Sequence, residues 1–381
     1  MGAEIDRRSR HRKPSCLRKR RPGVYDNRMQ SLLDGMRVLD LSVWRPMPHA
    51  TQILADLGAE VLKVEPPGGD PMRGYREIFA SVARGKRSIE LDLRTEGGRA
   101  RAIELAGAAD VVCESWRPGV ADRLGLGYDA VVAVNPTVVY CSLSGYGQDG
   151  PLRDTPGHDV NFQALAGALA TRDGAPAVPR LPVADLEGGT MCALLICAAW
   201  ARRIASGVGE RIDVAMTDVV AWWVGTHTGT AHRDATGRTF GSPGYGLFET
   251  SDGQWLALGV LAEQRLWDAI CRALVLDDLI GVEFAARLAR TVEVNATIGA
   301  AVRELDLDTA LARLDAKGAP VSPVLAPEDT ADHPQIRARE LLVDTTDGQV
   351  FGVPARLTDG ASTVSSRIPD VGEHDQGFST R

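Results

Sequence analysis

The chain has no pair of cysteines at C-x-x-C spacing. Its six cysteines, Cys16, Cys113, Cys141, Cys192, Cys197 and Cys271, are scattered and fall mostly inside apolar runs. That removes a zinc site built on paired thiols and a disulfide framework, and it leaves ordinary thiols of a reducing, cytoplasmic compartment. No apolar run reaches the roughly 18 to 20 residues that span a bilayer. The longest, MCALLICAAWA, is broken by Arg202 and Arg203, so no membrane segment is expected. No G-x-G-x-x-G follows the first strand pattern, and no G-x-x-x-x-G-K-[ST] occurs. A nicotinamide cofactor and a nucleoside triphosphate therefore lose their usual sequence support. H-E-x-x-H and G-x-S-x-G are also missing, which does the same for zinc protease and α/β-hydrolase chemistry.

What is present is enough material for a substantial core. A chain of 381 residues, 44% of them hydrophobic, has the size of about two domains. Charge is uneven. Residues 1–29 hold ten Lys or Arg against three Asp or Glu, so this segment carries +7 and the remainder −14 within an overall −7. The arm lacks both an apolar face and the apolar centre of a signal peptide. It reads as a disordered basic extension, with Met29 an equally good starting residue. The acidic body argues against nucleic acid as the main ligand.

From Gly35 onward, strand and helix patterns alternate. MRVLDLS is a short strand-like run; PHATQILADLG follows as a helix, with Pro48 in its first turn and Gly58 at its end; AEVLKVE is a second strand. RSIELDL, a helix from about Glu96, ADVVCES, a short helix near VADRLG, and TVVYCSLS continue the pattern. This is a βαβ series with right-handed crossovers, hence a doubly wound, Rossmann-like α/β domain over residues 30–217. An apolar helix is expected to begin near Gly188, and GERIDVAMTD is expected to be a strand reaching about Asp218. Residues 218–246, rich in Gly, Thr and His, read as a linker. GLFETSDGQWLALGVL is a hairpin turning at Ser251-Asp252-Gly253 and opens a smaller α+β domain over 247–325. Residues 326–381 form a tail expected to return to the large domain.

Several phrases in order carry a resemblance: GMRVLDLS, ILADLGAEVLKVEPPGGDPMR, RGKRSIELDL, ADVVCESWRPGVADRLGLGYD, NPTVVYCSLSGYGQDGP, PGHD, VADLEGG and GERIDVAMTD. From about Leu33 to the carboxyl end, the chain resembles the family III CoA-transferases, a superfamily that also contains the α-methylacyl-CoA racemases. The resemblance implies an interlocked homodimer and a coenzyme A thioester as substrate. No cofactor is implied beyond the CoA that the substrate itself carries, and no metal. Basic residues in the matching motifs are then candidates for the CoA phosphates: Arg73, Arg84, Lys86, Arg87, Arg94, Arg117 and Arg123. Guanidinium suits phosphate through a two-pronged contact. The competing reading of each is a solvated basic face.

Asp185, in PVADLEGG, reads from its residues alone as the N-cap of the helix expected from Gly188. The resemblance makes it instead the nucleophile of a transferase or an acid/base of a racemase. His158, in PGHD, is either a hydrogen-bonding group at a helix start, with Asp159 as cap, or the second acid/base that racemisation requires. Glu263 stands where a racemase places a glutamate of the small domain, although one extra residue precedes it here, and its other reading is an exposed residue opening a helix. Glu187 competes with it by nearness to Asp185. The sequence VEPPGGD leans toward the transferases, while FGSPGYG lacks the run of glycines that many of them carry. The reacting residues favour racemisation or epimerisation of a 2-methylacyl-CoA, with CoA transfer between carboxylic acids as the alternative and non-catalytic CoA binding as a minor one. The backbone N–H groups of Gly188 and Gly189 are the expected donors to an enolate oxygen.

Overall fold

The structure is a computed structural model and describes residues 31–169, 175–228, 242–357 and 364–379. The basic arm over residues 1–29 lies outside the described residues. So does the stretch 229–241, which is much of the expected linker.

The first strand, β1 (Arg37–Asp40), leads into α1 (Pro46–Asp56), whose fixed proline φ suits a first helical turn, and then into β2 (Glu60–Glu65). A short 3-10 turn and α2 (Arg76–Ala83), neither anticipated from the sequence, precede β3 (Arg87–Glu90). There follow α3 (Glu96–Ala108), β4 (Val111–Glu114), α4 (Val120–Arg123), α5 (Tyr128–Val134), β5 (Val139–Ser144), α6 (Asp159–Leu165), α7 (Val183–Ser206), β6 (Glu210–Ala215) and α8 (Met216–Thr228). The six strands form one sheet in the order β3-β2-β1-β4-β5-β6, every pair parallel. Adjacent residues on each strand feed opposite faces. Val38, Val111 and Val139 join the core under α1 and α7, while Leu39, Val112 and Tyr140 join the core under α3 and α5. A sheet covered on both sides explains the unbroken apolar runs in these strands.

Two expectations about this region need correction. GERIDVAMTD is not a strand to Asp218. β6 ends at Ala215, and Met216 to Thr228 is helical, so the expected linker begins as a helix. The apolar helix also starts earlier than Gly188, because Pro182 is its N-cap and Val183 its first residue. At 24 residues α7 is long and apolar enough, by length and composition alone, to cross a membrane. Here it packs on α1, α6, α8, β5 and β6 and supplies Gly188, Gly189, Cys192, Ala193 and Ile196 to the core. Gly189 permits the approach to α1, since a Cβ there would lie 2.5 Å from the carbonyl oxygen of Pro46 and 3.3 Å from the nitrogen of Ala50.

The second lobe opens with the expected hairpin, β7 (Tyr245–Glu249) and β8 (Trp255–Gly259), antiparallel around the 251–253 turn. α9 (Gln264–Ala273), α10 (Phe284–Leu288), α11 (Thr291–Arg303) and α12 (Leu307–Ala316) follow, and β9 (Val321–Pro323) pairs with β8 to complete a three-stranded sheet. Trp267, Ile270, Val294, Ile298 and Leu314 fill its separate core. The tail then runs through α13 (Pro327–Thr330), α14 (Pro334–Arg339) and the hairpin β10 (Leu342–Thr345) and β11 (Gly348–Phe351). It ends against the large lobe. The backbone nitrogen of His374 donates to the Ser88 carbonyl at 2.8 Å, and Arg87 Nε donates to the Gly377 carbonyl at 3.0 Å.

Candidate functional site

In this strand order the chain reverses direction across the sheet between β1 and β4, and a crevice forms beyond the carboxyl ends of strands at such a point. A cavity of about 620 Å³ lies there. Its walls come from the turn after β1 (Val43 to Pro46), the turn after β4 (Ser115 to Pro118), the end of β5 and its exit (Leu143 to Tyr146), the loop into α6, and the first turn of α7. Trp44, Tyr75, Ile78, Trp116 and Phe162 make it largely apolar. Besides Tyr75 and Tyr146, its ionisable groups are Arg45, Arg117, Arg153, His158 and Asp185.

Asp185 is the third residue of α7 and not its N-cap, so the plain capping reading is withdrawn. Its backbone nitrogen donates to Asp159 Oδ1 at 3.1 Å, which ties the start of α7 to the start of α6. Burial, followed by the negative charge of Asp159, pushes the Asp185 carboxyl up to about 6; the positive charges of Arg45 and His158 act against that rise. At neutral pH it is mostly ionised yet poorly solvated, as a nucleophile or base should be. His158 occupies the N-cap position of α6. Its backbone nitrogen donates to Asn161 Oδ1 at 3.0 Å, and its carbonyl accepts from Asn161 N at 2.8 Å. Asn161 thus ties the helix start to the His158 backbone, and His158 also lines the cavity with Asp185. Asp159 is the first helical residue and not the cap; its carboxylate receives Gln163 Nε2 at 2.5 Å as well as Asp185 N.

The expected enolate donors are corrected by the same helix boundary. Gly188 and Gly189 lie inside α7, where backbone N–H groups are taken by the carbonyls four residues earlier. Their lack of side chains serves packing: a Cβ on Gly188 would lie 2.9 Å from Met216 Cγ. Glu263 is the exposed N-cap of α9 in the second lobe, accepting from Leu261 N at 3.0 Å, and it does not line the cavity. Neither does Glu187, whose carboxyl is raised by burial along α7.

The basic candidates separate into two groups. Arg117 lines the cavity, and Arg123 lies close by. A Cβ on Gly119 would sit 3.3 Å from Arg153 Nη2 and 3.4 Å from Arg123 Nη1, so two guanidiniums converge on one glycine, which itself has φ 78°. Among the described residues Arg117 and Arg123 form no ion pair. The other candidates are committed elsewhere. Arg73 makes two bonds to Glu65, at 2.6 and 2.7 Å, and a third to the Pro369 carbonyl. Arg84 pairs with buried Asp56. Lys86 is fully buried, with its Nζ shared among Asp40 (3.2 Å), Thr51 Oγ1 (2.6 Å) and the Pro48 carbonyl (3.0 Å). Arg87 opens β3 beside Glu60, the first residue of β2, at the edge of the sheet opposite the cavity. Arg94 is exposed and pairs with Asp92. Proximity to a strand in sequence did not distinguish the two edges of the sheet or reveal which cations were already paired.

Two cavity cations, Arg45 and Arg153, were not among the candidates. Each had a signal in the sequence: Arg45 stands in the first strand-to-helix turn (SVWRPMP), and Arg153 lies three residues before PGHD.

A sequence model of CoA-transferase family III matches residues 33–375. Acetyl-CoA:oxalate CoA-transferase of Acetobacter aceti is 33% identical over 349 residues, covering 85% of this chain and 89% of that one. Alpha-methylacyl-CoA racemase of Homo sapiens is 31% identical over 357 residues, covering 90% and 91%. The crystal structure of Rv3272 from M. tuberculosis superposes with a TM-score of 0.82 at 30% identity, over 91% of this chain and 98% of that one. With the family model spanning both lobes and the cavity between α1, α6 and α7, this chain belongs to CoA-transferase family III.

Proposed function

We propose that the protein transfers coenzyme A between carboxylic acids, with Asp185 as the nucleophile. The observation that carries this reading is the Asp185 carboxyl itself: it opens on the cavity, sits in the first turn of a long helix, and is raised by burial to about 6. Its ionised oxygen attacks the thioester carbonyl and expels CoA as thiolate, leaving a mixed anhydride. The thiolate then attacks the aspartyl carbonyl, which releases the first acid as carboxylate and leaves CoA on Asp185 as a thioester. An acceptor carboxylate reverses the two steps and departs as the new acyl-CoA. Arg117, Arg123 and Arg153 are proposed to hold the CoA phosphates, and Trp44, Tyr75 and Trp116 to flank the apolar part of the ligand. No metal enters any of these steps. The name of the Acetobacter relative, a CoA-transferase, supports the reading.

A second reading, racemisation of a 2-methylacyl-CoA, is favoured by one specific observation: His158 shares the cavity with Asp185, and the human relative is named for that reaction. Two acid/base groups about one α-carbon would remove and return its proton. One experiment separates the readings. A single stereoisomer of a 2-methylacyl-CoA is incubated in D₂O without an acceptor acid. Transfer predicts an Asp185 adduct, trapped by hydroxylamine, and turnover only after an acid is added. Deuterium at the α-carbon with loss of configuration, and no transfer, would establish racemisation instead.

We further propose a homodimer. Leu194 and Ile204 of α7 and Trp222 and Trp223 of α8 are exposed, an unusual concentration of large apolar side chains on neighbouring helices. Light scattering tests it: a monomer at micromolar concentration would refute it.

A further inference from the structure

One wall of the cavity is held from the far end of the chain. Met72, Tyr75 and Ile78, from the 3-10 turn and the start of α2, form that wall. Its ligand side is open, since Tyr75 is 60% and Ile78 38% exposed. Its other side is packed. Met72 joins Phe79, Val82 and Ala83 in a satellite core separate from the larger ones, and Ile368 of the carboxyl-terminal tail packs against that cluster. Met72 is thus shared by the cavity and the satellite core, while Ile368 itself does not line the cavity.

The tail is pinned on both sides of this contact. Gly85 N donates to the Arg367 carbonyl at 2.7 Å, Arg73 Nη2 donates to the Pro369 carbonyl at 3.0 Å, and Gly372 N donates to Ser88 Oγ at 3.1 Å. Ser88 Oγ donates in turn to Glu65 at 2.6 Å, the carboxylate that also grips Arg73. The chain entering the wall is pressed against the tail as well: Gly69 has φ 94°, and a Cβ there would lie 2.9 Å from Val371 Cγ2. Ile368 is therefore held in a fixed place behind the wall.

We propose that Ile368 is a specificity-determining residue that touches no ligand: by bracing the Met72–Ile78 wall from behind, it sets how large an acyl group the cavity admits. The inference rests on the acyl-CoA reading above and holds for either of its reactions. A close-packed interior passes a change of volume on to its neighbours. α2 is packed between α1 and β11, so the side of the wall left free to yield is the one that faces the ligand. Shortening Ile368 leaves room into which Phe79 and Met72 can retreat, and the cavity grows by what the satellite core gives up.

The test uses the full chain carrying Asp185→Asn, which forms no adduct, so that binding alone is read. Calorimetry measures acetyl-, hexanoyl- and decanoyl-CoA, each relative to free CoA, in this protein and in the same background with Ile368→Val, Ile368→Ala or Phe378→Ala. At least one of the two longer thioesters should gain about 5- to 20-fold over acetyl-CoA with Ile368→Ala, the scale on which a pocket resolves a methylene or two. Ile368→Val should shift the same ratio by a smaller factor, and it carries the test should the alanine variant fail to fold. Phe378→Ala shortens a tail residue packed on the core under α3, away from the wall, and should leave the ratios within about 2-fold. Ratios unmoved in both Ile368 variants, or an equal shift with Phe378→Ala, would overturn the proposal. So would a uniform weakening of free CoA and every thioester, the mark of a purely structural residue. Failure of free CoA and all three thioesters to bind even the wild type sinks the acyl-CoA reading and this inference with it; binding with unmoved ratios sinks the inference alone.

Discussion

Two clusters of charge lie close together in the large lobe and are built in opposite ways. Below the first strand-to-helix turn, Asp40, Lys63, Lys86, Glu65 and Asp70 are buried and paired: Lys63 meets Asp70 at 2.8 Å, Lys86 meets Asp40 at 3.2 Å, and Glu65 takes Arg73 in a two-pronged contact. Burial works against the charge of Asp40, but Lys86, Lys63 and two hydroxyls overcome it and hold its carboxyl down at about 2. In the cavity above, Arg45, Arg117 and Asp185 have no salt-bridge partner among the described residues, and Asp185 is held up at about 6. Desolvation acts on Asp40 and on Asp185 alike. In one cluster the protein supplies the compensating charge, and in the other it leaves that to a ligand.

The comparison is broken most directly at Asp185. Asp185→Ala should lower CoA transfer by about 10³-fold or more, the scale expected when a nucleophile is removed, as read by steady-state rates with saturating thioester. The same site should be a stability liability. Because its folded pKa is raised from 3.8 to about 6, the folded protein holds the proton more tightly than the unfolded chain does, so stability falls as pH rises through that window. Asp185→Asn should therefore gain about 2 kcal/mol at pH 7, after discounting for partial exposure, and nothing at pH 3. Urea titrations at the two pH values check this, and a loss of stability at pH 7 would contradict it.

Lys86→Met should do the reverse. It leaves buried Asp40 without its nearest cation and should cost about 3–5 kcal/mol of unfolding free energy, whereas Arg117→Met should cost less than about 0.5 kcal/mol and weaken CoA binding in a salt-dependent way. Similar losses of stability in both variants would erase the distinction between the clusters. Gly189→Ala, which drives a methyl against the backbone of α1 beneath the Arg45 turn, should cost about 1–3 kcal/mol and raise KM for the acyl-CoA. The smallest effects belong to Arg94→Ala. With the side chain exposed and paired only with Asp92, stability should move by under about 0.5 kcal/mol, and CoA affinity should not change.

Much of the fold could be read along the chain because its determinants are local. VLD, VLKVE, VVCE and VVYCSLS are short apolar runs between turn residues, and each is a strand. Boundaries set by packing were missed. Pro182 and not Gly188 marks the start of α7, since the first turn is fixed by the bond from Asp185 N to Asp159, 26 residues away. α2 was also missed, although its Phe79, Val82 and Ala83 pack as a small cluster of their own.

At the site, the sequence by itself determined the candidate residue types and their order: a histidine before α6 and an aspartate at the head of an apolar helix, within motifs of a recognisable family. Right-handed parallel connections also put the loops after β1 and β4 at the carboxyl ends of the strands, where the cavity lies. Only the tertiary structure decided which cations remain available. Arg73 and Arg117 both follow strands and carry the same group, but one lies against Glu65 and the other against an open cavity. Whether a buried charge is spent or free depends on its neighbours in space, because Coulomb interaction and desolvation act over a few ångströms regardless of separation along the chain.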